Sequence, residues 1–213
     1  MANTLVWLTF DGNSWSPETP VGDADDPTDL AMVVQQDKLN LLFSTKSAKK
    51  VLTFDEKGKA GQVAVNAETD DQRFAELKSQ TEAYQALPVT RPSLRKFIVA
   101  SACYRGAVRY VHTGEDPTGP LIWRTFLSAK WSSEYTFPNT ACGPDPALCV
   151  FAGVLHCFHR GVDGENPDNP RIYWSVSDGL GWSADRQTPF FSPAPITVAA
   201  HVGKLFCAYV KSS

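Results

Sequence analysis

The sequence predicts an all-β chain, a four-bladed β-propeller, and three observations predict it. First, all six tryptophans fall into pairs eight residues apart, Trp7/Trp15, Trp123/Trp131 and Trp174/Trp182. Each second tryptophan is followed by serine and, three residues after itself, by an acid: Glu18, Glu134 and Asp185. Second, each pair is followed by a polar spacer and then by two apolar runs with a short turn between them. Self-similarity at a period of roughly 40–50 residues marks a propeller or a solenoid. Third, the chain opens on the tryptophan half of a repeat (Leu5 to Glu18) and closes on the other half (Pro195 to Val210).

Taken in order, VWLTFDGNSWSPE supplies a strand and a turn at Asp11-Gly12, and DLAMVVQQDKLNLLFS supplies a hairpin. A second copy has lost its tryptophans. In it VLTFDEKGKAGQVAV stands where the pair would be, and SLRKFIVASACYRG supplies the later strands. Between them, NAETDDQRFAELKSQTEAYQALPVT has helical spacing of Phe74, Leu77, Tyr84 and Leu87 and a stop at Pro88. One inserted helix is expected at about 68–87, as a cap, a lid or a partner-binding arm. The third copy runs from IWRTFLSAKWSSE to PALCVFAGVLHCFHRG, and the fourth from YWSVSDGLGWSAD to PITVAAHVGKLFCAYV. Four to seven apolar or alternating residues bounded by turn signals such as Ala152-Gly153 and Val202-Gly203 read as strands in tight hairpins. Each copy offers about four short antiparallel strands, the content of one blade. Pairing of Leu5–Phe10 with Leu205–Val210 would complete a mixed blade and hide two sheet edges.

At 213 residues the expectation is one propeller domain over 1–213. Twenty basic and 23 acidic residues leave a formal charge of −3, with no basic run that would track phosphates, so nucleic acid is not expected as a partner. The start MANTLVWLTFDG has neither a basic nor an apolar leader region, and no run of eighteen apolar residues occurs. The expectation is therefore a protein that does not insert in membranes and is cytoplasmic, or released without a visible signal peptide. Cys103, Cys157 and Cys207 share a register with Leu42 and are expected in the core. Cys142 and Cys149 are spaced so that a bridge is permitted and not demanded.

The connections PVGDADDPTD, YRGAVRYVHTGEDPTGP, YTFPNTACGPDP, HRGVDGENPDNP and RQTPFFSPAP are long, and loops on a rigid scaffold usually carry binding groups. On that face Tyr104-Arg105-Gly106 and His159-Arg160-Gly161 recur, with Tyr209 and Lys211 near the same position. Carboxylates adjoin them at Glu115, Asp116, Asp163, Glu165 and Asp168. Fork-shaped donors, carboxylate acceptors and a ring suit polyhydroxy ligands. The candidate ligand-binding set is Tyr104, Arg105, His159, Arg160, Asp163 and Tyr209. A plainer reading has these arginines cross-link blade edges, and another makes the tryptophans inter-blade packing with an exposed subset for sugars. No histidine pair has metal spacing, and neither a nucleophile elbow nor a phosphate loop is present, so neither cofactor nor enzymatic activity is expected.

The stretches TFDGNSW and SVSDGLGW resemble the Asp-box turn, Ser-x-Asp-x-Gly-x-x-Trp, of sialidase-like propeller repeats found in lectin-like proteins. That resemblance covers three of the four copies. It implies a propeller in which the turn is structural, and a lectin-like protein that binds glycans or glycoconjugates at several blade-related sites, with a homo-oligomer left open. Sialidase catalysis would need an arginine triad and a Tyr/Glu pair that this chain does not clearly supply. The alternative is a hemopexin-like protein, similar in size and blade count, binding a small molecule, ion or protein at the propeller axis.

Overall fold

A computed structural model describes residues 3–35, 37–55, 57–65, 99–113, 119–138, 145–161 and 168–212. The helix expected at about 68–87 lies outside them, as do Cys142, Glu115, Asp116, Asp163 and Glu165. The described residues form seventeen strands. In chain order these are β1 (Thr4–Phe10), β2 (Thr19–Asp25), β3 (Thr28–Gln35), β4 (Lys38–Ser44), β5 (Lys49–Phe54) and β6 (Ala60–Val65). There follow β7 (Val99–Tyr104), β8 (Ala107–Thr113), β9 (Leu121–Leu127), β10 (Lys130–Trp131) and β11 (Tyr135–Thr136). The last six are β12 (Ala147–Phe151), β13 (Val154–Arg160), β14 (Arg171–Ser177), β15 (Arg186–Phe191), β16 (Thr197–His201) and β17 (Lys204–Lys211). They make four antiparallel sheets ordered β16-β17-β1-β2, β3-β4-β5-β6, β7-β8-β9-β10 with β11 also on β9, and β12-β13-β14-β15. The chain is thus all-β, with the four blades of a β-propeller arrangement.

Two compact units divide it. Met1–Ala83 with Ile196–Ser213 holds the first two sheets, and Tyr84–Pro195 holds the other two. In the first unit the chain ends meet as expected: β1 pairs with β17 from Thr4↔Lys211 through Leu5↔Val210 to Phe10↔Leu205. Leu5, Leu41, Phe43, Phe54 and Phe206 form the core between its sheets, and Trp7 packs on it, stacked on Phe206 at 5.9 Å and edge-on to Phe54 at 4.9 Å. The Met32 amide donates to Thr197 Oγ1 at 2.9 Å and so ties one sheet to the other. In the second unit Val111, Leu121, Phe137 and Cys157 are buried together, with Trp182 stacked on Phe137 at 4.4 Å.

The recurring Trp-Ser has a backbone cause. Thr9, Thr125 and Val176 each donate their N–H to the serine Oγ of Ser16, Ser132 and Ser183 at 3.0 Å, and accept that serine's own N–H at 2.8 Å. The hydroxyl replaces a ladder carbonyl where the outer strand has not yet begun, so no amide is left unpaired.

The structure corrects the second copy. Residues 107–113, read from sequence as loop, are strand β8, and Arg105-Gly106 is the tight turn before it. Their φ values, 50° and 74°, match Ala152-Gly153 (49° and 73°) and Val202-Gly203 (44° and 72°), the left-handed pair that a type I′ hairpin requires. Pairing across the four hairpins (Gln35↔Lys38, Tyr104↔Ala107, Phe151↔Val154, His201↔Lys204) makes Leu41 and Tyr110, not Leu42 and Cys103, the equivalents of Cys157 and Cys207. Spacers PVGDADDPTD and RQTPFFSPAP likewise contain edge strands β2 and β15. Their prolines and charges disguise strand character while suiting an edge.

Cys103 is exposed, whereas Cys157 and Cys207 are buried, and burial pushes the Cys207 thiol up to about 12. A thiol reagent applied to the native protein is expected to label Cys103 and spare Cys157 and Cys207 until the chain unfolds. Peptide mapping after brief labelling checks this; modification of Cys157 or Cys207 at the rate of Cys103 would contradict it.

Candidate functional site

The corrected register separates the residues expected to share a site. Tyr104 and Arg105 lie at the tight-turn end of their sheet, and Arg160 lies at the opposite end of its own, because Arg105-Gly106 is a hairpin turn and Arg160-Gly161 follows a strand. Tyr104 is buried, and its hydroxyl donates to the Gly153 carbonyl at 2.9 Å. Arg105 is exposed and covers the Tyr104 ring at 5.3 Å. Both residues border the Asp178-Gly179 turn: a Cβ on Gly179 would lie 3.5 Å from Tyr104 and 3.8 Å from Arg105. They sit at the tight-turn end, away from the long connections on which the sequence leads one to expect a ligand.

His159, Arg160 and Tyr209 are turned inward. The Arg160 guanidinium donates to the Pro193 carbonyl at 3.0 Å and pairs with Asp145, and both side chains of the pair are nearly buried. Burial pushes the Asp145 carboxyl above its ordinary range, and the charge of Arg160 opposes that shift. His159 is fully buried and stacks on Tyr173 at 5.8 Å. A Cβ on Gly161 would lie 2.3 Å from the Tyr173 ring, so glycine is what lets that ring close down beside His159. Tyr209, also fully buried, donates its hydroxyl to Glu18, which pairs in addition with Lys211. Burial, reinforced by Glu18, pushes the Tyr209 phenol above its ordinary range.

Hairpin pairing makes Phe43, His112, His159 and Tyr209 equivalent, and all four are buried. The acid three places after the second tryptophan serves this row in two blades. Glu18 bonds Tyr209, and Asp185 Oδ1 approaches His159 Nε2 to 3.1 Å without hydrogen-bond alignment. In the third copy the acid behaves differently. Arg124 stands where the other copies have Leu8 and Ser175, and its Nη1 draws Glu134 Oε1 to 3.4 Å. His112 instead reaches the Thr113 carbonyl through Nδ1 at 2.7 Å. Glu134 remains 47% exposed, against 25% for Glu18 and 12% for Asp185.

Arg124, Glu134 and Trp131 make one group at the edge of this blade. The guanidinium carbon lies 5.3 Å from the Trp131 ring centre, and Nε and Nη2 each reach the Ser132 carbonyl at 3.4 Å. Trp131 is held by Phe126 at 5.0 Å and edge-on by Tyr110 at 5.6 Å. Because faces alternate along β9, Trp123 looks the other way, stacked at 4.9 Å on its cross-strand partner Tyr135, which is 49% exposed. The third copy therefore presents a guanidinium, a carboxylate and an indole on one side of an edge and an exposed phenol on the other. The repeat alignment contained this signal, since Arg124 interrupts a position otherwise filled by Leu8 and Ser175. Among the described residues no group of three His, Cys, Asp or Glu side chains is placed to hold a metal ion, and no helix is long and apolar enough to cross a membrane.

No family model and no curated protein sequence matches the chain. Solved structures do. A mutant of AofleA from Arthrobotrys oligospora aligns with 94% of this chain and 56% of its own, at 13% identity and a TM-score of 0.43. A mutant of Aleuria aurantia lectin in complex with Fucα1-6GlcNAc aligns over 92% and 61%, at 13% identity and a TM-score of 0.39. A further Aleuria aurantia lectin structure, described as a six-bladed β-propeller with a novel fucose recognition mode, aligns over 92% and 60%, at 14% identity and a TM-score of 0.38. The chain spans 56–61% of the length of these three.

Proposed function

We propose that this chain is a lectin-like protein that binds carbohydrate without cleaving it, and that Arg124, Glu134 and Trp131 carry the binding. The observation behind this is the outward Glu134 carboxylate, which shares Arg124 at a long 3.4 Å above an indole ring. An ion pair of that length has no hydrogen bond to lose, and its groups can be taken over by ligand hydroxyls. A sugar carries hydroxyl donors and acceptors round an apolar face. Glu134 accepts from the donors, Arg124 donates to the acceptors, and the exposed part of Trp131 borders the apolar face. The equivalent acids Glu18 and Asp185 are directed at buried partners, so the reading places one such site in the third copy and not a set of identical ones.

A glycan array tests the class, and Glu134→Gln tests the site. The variant is expected to bind an array-positive glycan at least about tenfold more weakly, since a hydrogen bond to a charged group contributes about 1.5–3 kcal/mol. Its melting temperature should stay within about 2 °C of the parent, because Glu134 is half exposed. An array without signal, or full affinity in the variant, would overturn the reading.

A further inference from the structure

We propose that the first unit carries a second binding site, a cleft at the turn end of the β3–β6 sheet that takes a small anionic saccharide: one unit with hydroxyls and a carboxylate, sulfate or phosphate. This goes beyond the Arg124 site, which lies in the other unit and is built from other residues. The cleft has a volume of about 530 Å³ and is lined by Lys38, Thr53, Asp55, Lys59, Ala60 and Gly61.

Each polar lining group has a defined hydrogen-bonding state. Thr53 Oγ1 donates its proton to Oδ1 of the buried Asn40 at 2.9 Å, so its oxygen is left with acceptor capacity. Asp55 Oδ1 accepts the amides of Lys57 and Lys59 at 2.9 and 2.8 Å, which fixes the carboxylate in the turn and leaves Oδ2 as an acceptor. The Lys59 amide, more than any other group, holds that carboxyl below its ordinary range. The turn is anchored from beneath, where His201 Nε2 meets the Asp55 carbonyl at 2.9 Å. Lys38 and Lys59 are exposed, and among the described residues neither ammonium is in a salt bridge.

Among the described residues the cleft thus offers two fixed acceptors and two ammonium groups outside any salt bridge, that of Lys59 attracted by the Asp55 carboxylate from beyond salt-bridge distance. A neutral sugar would satisfy the acceptors and leave the lysines only ordinary hydrogen bonds. An anion without hydroxyls would satisfy the lysines and meet the Asp55 carboxylate unfavourably. A hydroxylated anion uses all four, and charge-assisted bonds are the stronger ones.

Isothermal titration of the full chain with glucuronic acid, glucose 6-sulfate, glucose 6-phosphate and glucose provides the test. At least one acidic sugar is expected to bind about tenfold or more tightly than glucose, and the order among the three identifies the anion. Lys38→Gln and Lys59→Gln should each lower that affinity by about tenfold at unchanged melting temperature. Glu134→Gln should leave it unchanged, which separates this site from the proposed glycan site. Absence of binding by all three acidic sugars, parity with glucose, or full affinity in both lysine variants would overturn the proposal.

Discussion

Replacing Arg160 with alanine is expected to destabilise the protein by about 3–5 kcal/mol, the cost typical of removing one member of a buried ion pair. Arg160 holds Asp145 and the Pro193 carbonyl, and Asp145 is only 8% exposed, so the variant strands a carboxylate away from water. The sign with pH follows from the raised Asp145 carboxyl. Its ionised form is disfavoured in the folded state, so the penalty is full above the folded pKa and shrinks as acid protonates the group. Urea unfolding at pH 7.5 and pH 4.5 should therefore show a smaller deficit for Arg160→Ala at the lower pH. The pair Arg160→Met with Asp145→Leu should recover most of the loss, since apolar replacement of both partners is often neutral. A deficit below about 1 kcal/mol at pH 7.5 would mean that Asp145 finds water or another donor.

Acid is expected to weaken the fold through His156. Burial depresses its imidazole to about 4 from 6.5, assisted by Arg186. Its ring lies 5.5 Å from that of Trp174, whose own ring is 5.5 Å from the Arg186 guanidinium. A depressed folded pKa means that the unfolded chain takes up the proton first. The stabilisation is complete above about pH 6.5 and is lost as pH falls from there towards 4. Allowing for partial solvent access, the loss by pH 4.5 is on the order of 2 kcal/mol. Carboxylates such as Glu18 add their own acid sensitivity, so the comparison is with His156→Phe, which keeps the stack without the titration. The variant should lose less stability than the parent between pH 7.5 and 4.5; identical losses would show that His156 protonates without penalty.

The pairing that unites the chain ends was legible because apolar runs occupy both termini in matching register, and Phe10↔Leu205 and Leu5↔Val210 follow directly from it. The second copy was not. Tyr104-Arg105-Gly106 imitates His159-Arg160-Gly161 in side chains, and only the left-handed φ of Arg105 reveals a hairpin turn where the imitation suggested a strand end. An arginine at φ 50° is an uncommon choice that carries no turn signal of its own. That single slip placed the exposed Cys103 in the core row, hid β8 and gathered Tyr104, Arg105 and Arg160 at one end. The proposed Arg124 site was hidden for another reason. The Trp-Ser-x-acid pattern is the same in three copies, and what the acid does depends on whether the position after the first tryptophan is Leu8, Arg124 or Ser175.

Titration of an array-positive glycan against the parent chain and Arg124→Met, with thermal melts of both, tests the account most directly. The methionine keeps much of the aliphatic bulk and removes the guanidinium that lies over Trp131, draws Glu134 and, in the proposed site, donates to sugar hydroxyls. A loss of affinity of about tenfold or more with a nearly unchanged melting temperature is the predicted result. Undiminished affinity in Arg124→Met would contradict it.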